Sequence, residues 1–223
     1  FVGSELLPDS GYFTCNNDAG DSFFMDVGEI GPTYQPGHAH ADFLAVELSL
    51  SGKRFIVDGG VFDYEHSAER AWCRSVEAHS TVFIKGEEPL ELWGAFRVGR
   101  RGSPTDVECE RAGQKHICSA SHDGYAHLTG RPTPFRKTIW QNDGPLLIED
   151  LVESVTPMQC ITQLRISASW KMERRSPRRI GFTFGNIECV ISASQDIEIK
   201  ESEWFPSFGF RERAYLLRQV FYS

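Results

Sequence analysis

The chain lacks a long apolar segment and an excess of basic residues. No window approaches the roughly 20 uncharged apolar residues that cross a membrane, so no membrane span is predicted. The 223 residues include 23 Lys and Arg against 31 Asp and Glu, which gives a formal net charge of -8. Because the acidic residues are spread along the sequence, nonspecific binding to nucleic acid or to an anionic membrane is not expected. An acidic polymer could still bind at a local basic cleft.

The cysteines lack the C-x-x-C spacing of thiolate metal sites and redox motifs. They are widely scattered, at Cys15, Cys73, Cys109, Cys118, Cys160 and Cys189. Buried free thiols are expected, and disulfides are the alternative if the protein is periplasmic or secreted. The chain also lacks an initiator Met and a signal-like segment after Phe1, which suggests a processed product or an excised piece.

Helical periodicity is nearly absent, and only Ser67 to Glu77 hints at a helical turn. Runs rich in Val, Ile, Phe and Thr instead predict strands over residues 43–50, 54–57, 81–84, 107–110, 116–121, 135–140, 146–151, 161–167, 180–184, 188–192 and 197–201. Turn-forming residues at 51–53, 85–86, 142–144 and 184–186 predict hairpins. The basic run 174–179 is predicted to be an exposed loop.

This repetition of strand and turn predicts an all-β fold, a large antiparallel β-sandwich built from several sheets. An α/β fold would need helices between the strands. With 40% hydrophobic residues the chain can bury a substantial core, and one domain over residues 1–223 is expected.

Residues 37–42 read Gly-His-Ala-His-Ala-Asp, so His38, His40 and Asp42 occupy every second position. On an extended strand these side chains face the same side. Neutral imidazole and carboxylate are the usual donors to a metal such as zinc, and they carry protons near neutral pH. The pattern indicates a metal or proton-transfer site, and a pair of surface histidines is the alternative.

Two later segments carry further donors. Asp58 ends an apolar strand before Gly59-Gly60, which permits a sharp turn, and His79 precedes a predicted strand. A simple hairpin would hold Asp58 about 23 Å from His40 along an extended strand. A shared metal therefore requires the histidine segment to fold back over the hairpin, and Asp42 is the alternative carboxylate.

In this order, the segments from Gly37 to Arg101 resemble the C-terminal domain of the heparinase II/III family of polysaccharide lyases, which has relatives among the alginate lyases. The matching pieces are the His-x-His segment, the Asp58-Gly59-Gly60 turn with Tyr64, Arg74-Ser75 before His79, and His122-Asp123-Gly124-Tyr125. A weaker match continues through Arg136, Asp150 and residues 206–209.

The resemblance implies a β-sandwich that packs, in complete family members, against an N-terminal α/α toroid. Helical toroid sequence is absent from this chain. Family lyases cleave uronic-acid polysaccharides by β-elimination, so an acidic polysaccharide and the toroid are the implied partners. A bacterial periplasmic or cell-envelope location is favoured, and the oligomeric state is left open.

The resemblance also assigns roles to individual residues. His38 matches the histidine that reaches the cleft, and His40, Asp58 and His79 match the zinc ligands, where the zinc organises the site. The principal catalytic Tyr, Asn and His of the toroid have no counterpart here. The isolated chain is therefore expected to be inactive.

Tyr64 and Arg74 are further cleft candidates. A phenol could donate a proton, and a guanidinium could pair with a substrate carboxylate. A buried, hydrogen-bonded pair is the alternative for these two residues.

Two other functions stay open. The His-x-His segment followed by Glu47 and a later His is also a cupin ligand pattern, which would form one small barrel with Glu47 on the metal. A noncatalytic carbohydrate-binding module could instead stack sugars on Trp72, Trp93, Trp140, Trp170 and Trp204. Tryptophans in a sandwich are more often core or interface residues, which is the alternative for these five.

Overall fold

A computed structural model describes residues 2–142 and 144–223. The strands there are β1 (Gly3–Leu7), β2 (Tyr12–Asn16), β3 (Ser22–Asp26), β4 (Val46–Leu50), β5 (Lys53–Ile56), β6 (Val82–Ile84), β7 (Leu92–Trp93), β8 (Arg97–Val98), β9 (Pro104–Ala112), β10 (Lys115–His122), β11 (Thr133–Gln141), β12 (Leu146–Glu153), β13 (Gln159–Ser167), β14 (Lys171–Ser176), β15 (Arg179–Phe184), β16 (Ile187–Ser192), β17 (Glu198–Ser207) and β18 (Phe210–Tyr222). A short helix, α1 (Ala68–Arg74), and a 3-10 turn over Val76–Ala78 lie between β5 and β6. None of the helices in these two ranges is long and apolar enough to span a membrane.

Nine strands form one large sheet, in the order β1-β2-β3-β4-β5-β13-β18-β17 with β6 paired to β13. A four-stranded sheet has the order β12-β11-β10-β9, a three-stranded sheet has the order β14-β15-β16, and β7 pairs with β8. The strand ladders are antiparallel. The predicted all-β, multi-sheet antiparallel architecture is confirmed.

The core forms where the two smaller sheets pack on the large one. Phe23 of β3 and Trp140 of β11 stack with ring centroids 6.0 Å apart. Phe55 of β5 meets Phe182 of β15 edge to face, with centroids 5.2 Å apart. These four residues belong to one continuous buried cluster, so a single hydrophobic core holds the three sheets together.

Each of the eleven predicted strands overlaps an observed strand. The first begins late, at Val46 rather than Phe43, because Leu44 has a φ of 61° and the N–H of Ala45 bonds to the Asp42 carbonyl. The strands that were not predicted are β1, β2, β3, β7, β8, β14 and β18. The helical hint at 67–77 is confirmed by α1, whose Ser67 side chain accepts from the N–H of Arg70.

The hairpin predictions have mixed outcomes. The turns at 51–53 and 184–186 join antiparallel neighbours, β4 with β5 and β15 with β16. Strands β11 and β12 also pair as expected, although Asp143 in the turn lies outside the described residues. The hairpin at 85–86 is wrong, because β6 pairs with β13. The basic run 174–179 is exposed as expected, but it forms the β14–β15 hairpin rather than a loop.

Candidate metal centre

Two glycines position Asp58 immediately after β5. A Cβ on Gly59 would lie 2.6 Å from the carbonyl oxygen of Ala78, and Gly60 has a φ of 74°. Only glycine tolerates both the close approach and the left-handed backbone. The turn therefore packs directly against the chain that leads into His79, and its Gly60 N–H donates to Oδ2 of Asp58 at 2.9 Å.

His79 is fully buried at the end of the 3-10 turn. Its Nδ1 lies 2.6 Å from Oδ1 of Asp58. Its Nε2 has no hydrogen-bond partner among the described residues. A buried, unpartnered ring nitrogen is expected to have a ligand: a water or another acceptor while the ring is protonated, or a divalent cation once that proton is released.

The His-Ala-His-Ala-Asp segment is not a strand, which corrects the sequence-based prediction. It is a loop, in which the N–H of Ala39 bonds to the Pro36 carbonyl and the N–H of Ala41 bonds to the Arg74 carbonyl. The two alanines are buried and anchor the loop against α1. The segment thus reaches His79 by folding across the end of the hairpin, as a shared site requires.

The loop brings three donors together. His40, Asp42 and His79 each offer one ligand atom, and these atoms all lie within 4.8 Å of one another. The rings of His40 and His79 have centroids 5.5 Å apart. Asp42, the alternative carboxylate, is thus one of the three donors. Asp58 is not, but its carboxylate contacts Nδ1 of His79, which is. Two imidazoles with carboxylates form a donor set suited to a divalent cation such as zinc.

Burial and one ion pair set the charges in this group. Burial and the neighbouring His79 lower the pKa of His40 to about 3, which keeps this imidazole neutral. Burial also disfavours charge on His79, but the Asp58 carboxylate and its hydrogen bond raise the pKa of His79 to about 9. Burial opposes charge on Asp58 in turn, yet His79 holds the pKa of Asp58 well below its usual range. Burial raises the pKa of Asp42.

Arg70 is a site residue that the sequence-based assignment missed. Its buried guanidinium lies with Nη1 3.1 Å from Nε2 of His40, and its Nε donates to the Ala95 carbonyl. Since a guanidinium is only a donor, Nε2 of His40 carries the lone pair. The available signal was the four-residue spacing of Arg70 and Arg74, which places both on one face of a helix.

His38 lies outside the buried group and is exposed. Its ring meets the edges of Tyr64 and Phe96, with centroids 5.2 and 5.7 Å away. Tyr64 is 43% exposed and also contacts Phe208. The structure therefore brings His38 and Tyr64 together on an aromatic surface beside the centre.

Arg74 does not face that surface. It is 1% exposed, and its guanidinium donates to the carbonyls of Ala39, Gly94 and Arg97 at 3.0 to 3.2 Å. The predicted contact with a substrate carboxylate does not fit this geometry, because each donor nitrogen is already used to hold a loop.

Two more buried arginines form hydrogen bonds with the backbone beside the donor group. Arg136 pairs with Asp150 at 2.7 and 2.8 Å, and its Nη1 donates to the carbonyls of Leu44 and Ser80. Arg165 donates to the carbonyls of Ala78 and Glu77. Both arginines fix backbone next to Asp42 or His79.

The cupin alternative does not fit this arrangement. Glu47 pairs with Arg54 at 2.6 Å rather than joining the histidines, and the chain forms stacked sheets instead of one small barrel. Trp140, Trp170 and Trp204 are buried, as expected for core residues of a sandwich, so these three rings cannot stack on a sugar. Trp93 is 46% exposed.

Comparison with known proteins gives a family. The model described as "Heparinase II/III-like, C-terminal" matches residues 2–222. None of the curated proteins matches the sequence.

Solved structures agree in fold. A heparan sulfate lyase HepC mutant from Pedobacter heparinus is 15% identical with a TM-score of 0.76, and 99% of this chain covers 34% of that one. A heparinase III described as the BT4657 gene product is 14% identical with a TM-score of 0.79, and the covered shares are again 99% and 34%. Another heparinase III structure is 15% identical with a TM-score of 0.70, and 94% of this chain covers 33% of it.

The chain thus spans about a third of the length of these structures. The family match extends over nearly all of its residues. The chain therefore belongs to the heparinase II/III-like C-terminal family.

Proposed function

We propose that this chain is the β-sandwich part of a polysaccharide lyase that cleaves a uronic-acid polysaccharide by β-elimination. The observation that carries the proposal is the exposed His38, which packs against Tyr64 and lies two residues from the partly buried His40. Family membership and the fold of three solved lyases and heparinases support it.

The reaction sets three requirements. A base must take the proton from the carbon beside the uronate carboxylate, and a positive or hydrogen-bonding group must stabilise the charge that develops there. The bond to the leaving oxygen then breaks as the double bond forms, and an acid delivers a proton to that oxygen. His38 would help to neutralise the carboxylate or assist proton transfer, and the Tyr64 phenol would donate a proton.

His40, Asp58 and His79 are the proposed zinc ligands, and Asp42 lies in the same group. Their fit to a cation rests on the donor chemistry and on the unpartnered, buried Nε2 of His79. A bound zinc would supply a fixed positive charge and hold its ligands in one arrangement. His40 would then hold its loop, and with it His38, in a constant position.

The substrate cleft is proposed to be completed by an N-terminal toroid. None of the six predicted site residues lines the cavity of about 880 Å³ that lies between the smaller sheets. His38 instead borders a shallow pocket of about 330 Å³ with Tyr34 and Pro36. His38 lies on an open surface, so water can reach it. A second protein surface must close over this one before water is excluded from a bound polysaccharide.

The test uses the polypeptide that includes the toroid, assayed on glycosaminoglycans, alginate and bacterial capsules. Lyase activity is read as the ultraviolet absorbance of the unsaturated product. His38→Ala should lower turnover by roughly 10²- to 10⁴-fold while zinc content stays constant. His127→Ala, at an exposed histidine outside the donor group, is the matched control. Absence of unsaturated product on all these polymers would contradict a lyase.

A noncatalytic carbohydrate-binding module is the second candidate. The exposed aromatic surface of Tyr64, Phe96 and Phe208 favours it, because such rings stack on sugars. Binding of a polymer by the complete protein without any turnover would support this function over the lyase.

A further inference from the structure

Two cysteines on neighbouring strands of the four-stranded sheet contact each other, and neither belongs to the donor group described above. Cys109 of β9 and Cys118 of β10 are register partners, and their Sγ atoms lie 2.6 Å apart. Directly opposite residues of an antiparallel pair bring their Cβ atoms to about 4.5–5.5 Å. That spacing is close to what a disulfide needs, so only small side-chain movements separate the two thiols from a bond.

We propose that Cys109 and Cys118 form a disulfide when the protein meets a disulfide oxidant, such as oxidised glutathione or a thiol oxidoreductase. This modification site is independent of the proposed lyase function. It would cross-link two neighbouring strands of one sheet.

The two thiols differ in a way that suits stepwise exchange. Cys109 is partly exposed, whereas Cys118 is fully buried. A hydrogen bond from Cys118 lowers the pKa of Cys109, so the accessible sulfur is also the better nucleophile.

The electron balance is that of thiol–disulfide exchange. The Cys109 thiolate attacks one sulfur of the oxidant, which breaks the oxidant's S–S bond and releases one thiol. Cys118 loses its proton and attacks the mixed disulfide, which forms the Cys109–Cys118 bond and releases the second thiol. Two protein thiols are oxidised, and one oxidant disulfide is reduced to two thiols.

A cross-link has a clear structural use at this position. Strand β9 is the edge of its sheet, pairs only with β10 in the described sheet order, and exposes most of its residues. An edge strand has a neighbour on one side only, so fewer backbone hydrogen bonds hold it to the sheet than hold a central strand. A bond at Cys109 would hold the middle of β9 to the strand that packs on the core.

Cys15 is the competing partner, and its chemistry disfavours it. It lies on β2, is fully buried, and has a pKa raised to about 12 by burial and by the neighbouring Cys109. A metal held by the three thiols is also disfavoured, because the donor group found among residues 2–142 and 144–223 is the histidine cluster.

Tryptic mapping identifies the bond directly. The reduced chain is incubated with excess oxidised glutathione, alkylated in denaturant and digested without reductant. Lys and Arg positions place Cys109 in peptide 102–111, Cys118 in peptide 116–136 and Cys15 in a peptide ending at Lys53. The expected result is a linked pair of 102–111 with 116–136, with the count of free thiols falling from six to four.

Thermal unfolding gives a second readout. Oxidation should raise Tm by about 5 °C in the unmodified chain and in Cys189→Ser, a partly buried control on β16. Cys109→Ser should remove that rise. Six free thiols after oxidation, a link to Cys15, or an equal rise in Cys109→Ser would overturn the proposal.

Discussion

Oδ1 of Asp58 lies 2.6 Å from Nδ1 of His79, although 21 residues separate them in the chain. The contact exists because Gly59 lets its backbone touch Ala78, the residue before His79. A carboxylate on one ring nitrogen fixes the orientation of an imidazole and leaves the other nitrogen for a ligand. The His79 side chain is therefore held in place before any cation binds.

Three buried arginines extend this support. Arg74 holds the carbonyl of Ala39, between His38 and His40, while Arg165 holds the carbonyl of Ala78. Arg136 holds the carbonyl of Ser80, on the other side of His79. The loops of the centre are thus fixed by side chain to backbone hydrogen bonds rather than by regular secondary structure.

The first prediction concerns metal binding. Replacing His79 with Ala removes a buried donor, so zinc affinity should fall by at least roughly 100-fold. Zinc stoichiometry after dialysis, measured by mass spectrometry, and calorimetric titration report this change. His116→Ala is the control, because His116 is equally buried and also has an unpartnered Nε2, but contacts Ser4 instead of the centre. Equal zinc loss in both variants would contradict the site.

The two carboxylates can be separated in the same assay. Asp58→Asn and Asp42→Asn each remove one negative charge while keeping the side-chain shape. Each should weaken zinc binding by about 10-fold or more, since ligands and the groups that orient them both matter. Retention of full affinity in Asp58→Asn would contradict both roles open to Asp58, as a zinc ligand and as the carboxylate that orients His79.

Arg74 should act on stability and loop order rather than on substrate binding. In Arg74→Met three backbone carbonyls lose their donor, which should lower the free energy of unfolding by about 2–4 kcal/mol. Denaturant titration measures this loss. In the complete protein, a variant that folds normally and changes only KM would instead support the sequence-based prediction of a carboxylate contact.

The Arg136–Asp150 pair should be a large contributor to stability. Asp150→Ala leaves a buried guanidinium without its carboxylate, so the free energy of unfolding should fall by about 3–5 kcal/mol. Glu149→Ala is the control, because this exposed neighbour should change stability by less than about 0.5 kcal/mol. Similar values for the two variants, obtained by urea denaturation, would contradict the structural role of the pair.

His122 should make the fold sensitive to acid. Burial lowers the pKa of His122 to about 3, whereas an unfolded histidine titrates near 6.5. The unfolded state therefore binds more protons between these values, so stability is complete above about pH 6.5 and decreases as the pH falls toward 3. The loss from this one group reaches at most about 1.4 kcal/mol per pH unit.

A variant isolates that contribution. In His122→Asn, an amide oxygen can still accept the N–H of Gly124, which the ring Nδ1 accepts at 3.2 Å. The free energy of unfolding should then depend less steeply on pH between about pH 6.5 and pH 4. An unchanged slope would contradict the neutral, buried state of His122.

Residue patterns alone were enough to predict the fold class and the order of the functional segments. Alternating apolar residues bounded by turn signals predict a strand without any knowledge of its pairing partner. Each predicted strand accordingly overlaps an observed one. The same local signal misses β1 to β3 and the 13-residue β18, because the stability of a strand depends on its neighbours in the sheet as well as on its own residues.

Which metal-ligating side chains come together depends on tertiary packing. The loop of His40 and Asp42 reaches His79 because Arg74, Arg136 and Arg165 bind specific carbonyls, and no spacing along the chain encodes these pairings. Burial of Arg74 and exposure of His38 follow from the same packing. Hydrogen bonds between residues far apart in the chain depend on the position of every intervening element. Residue types alone therefore indicated a metal site, while the fold set the distances between its ligands.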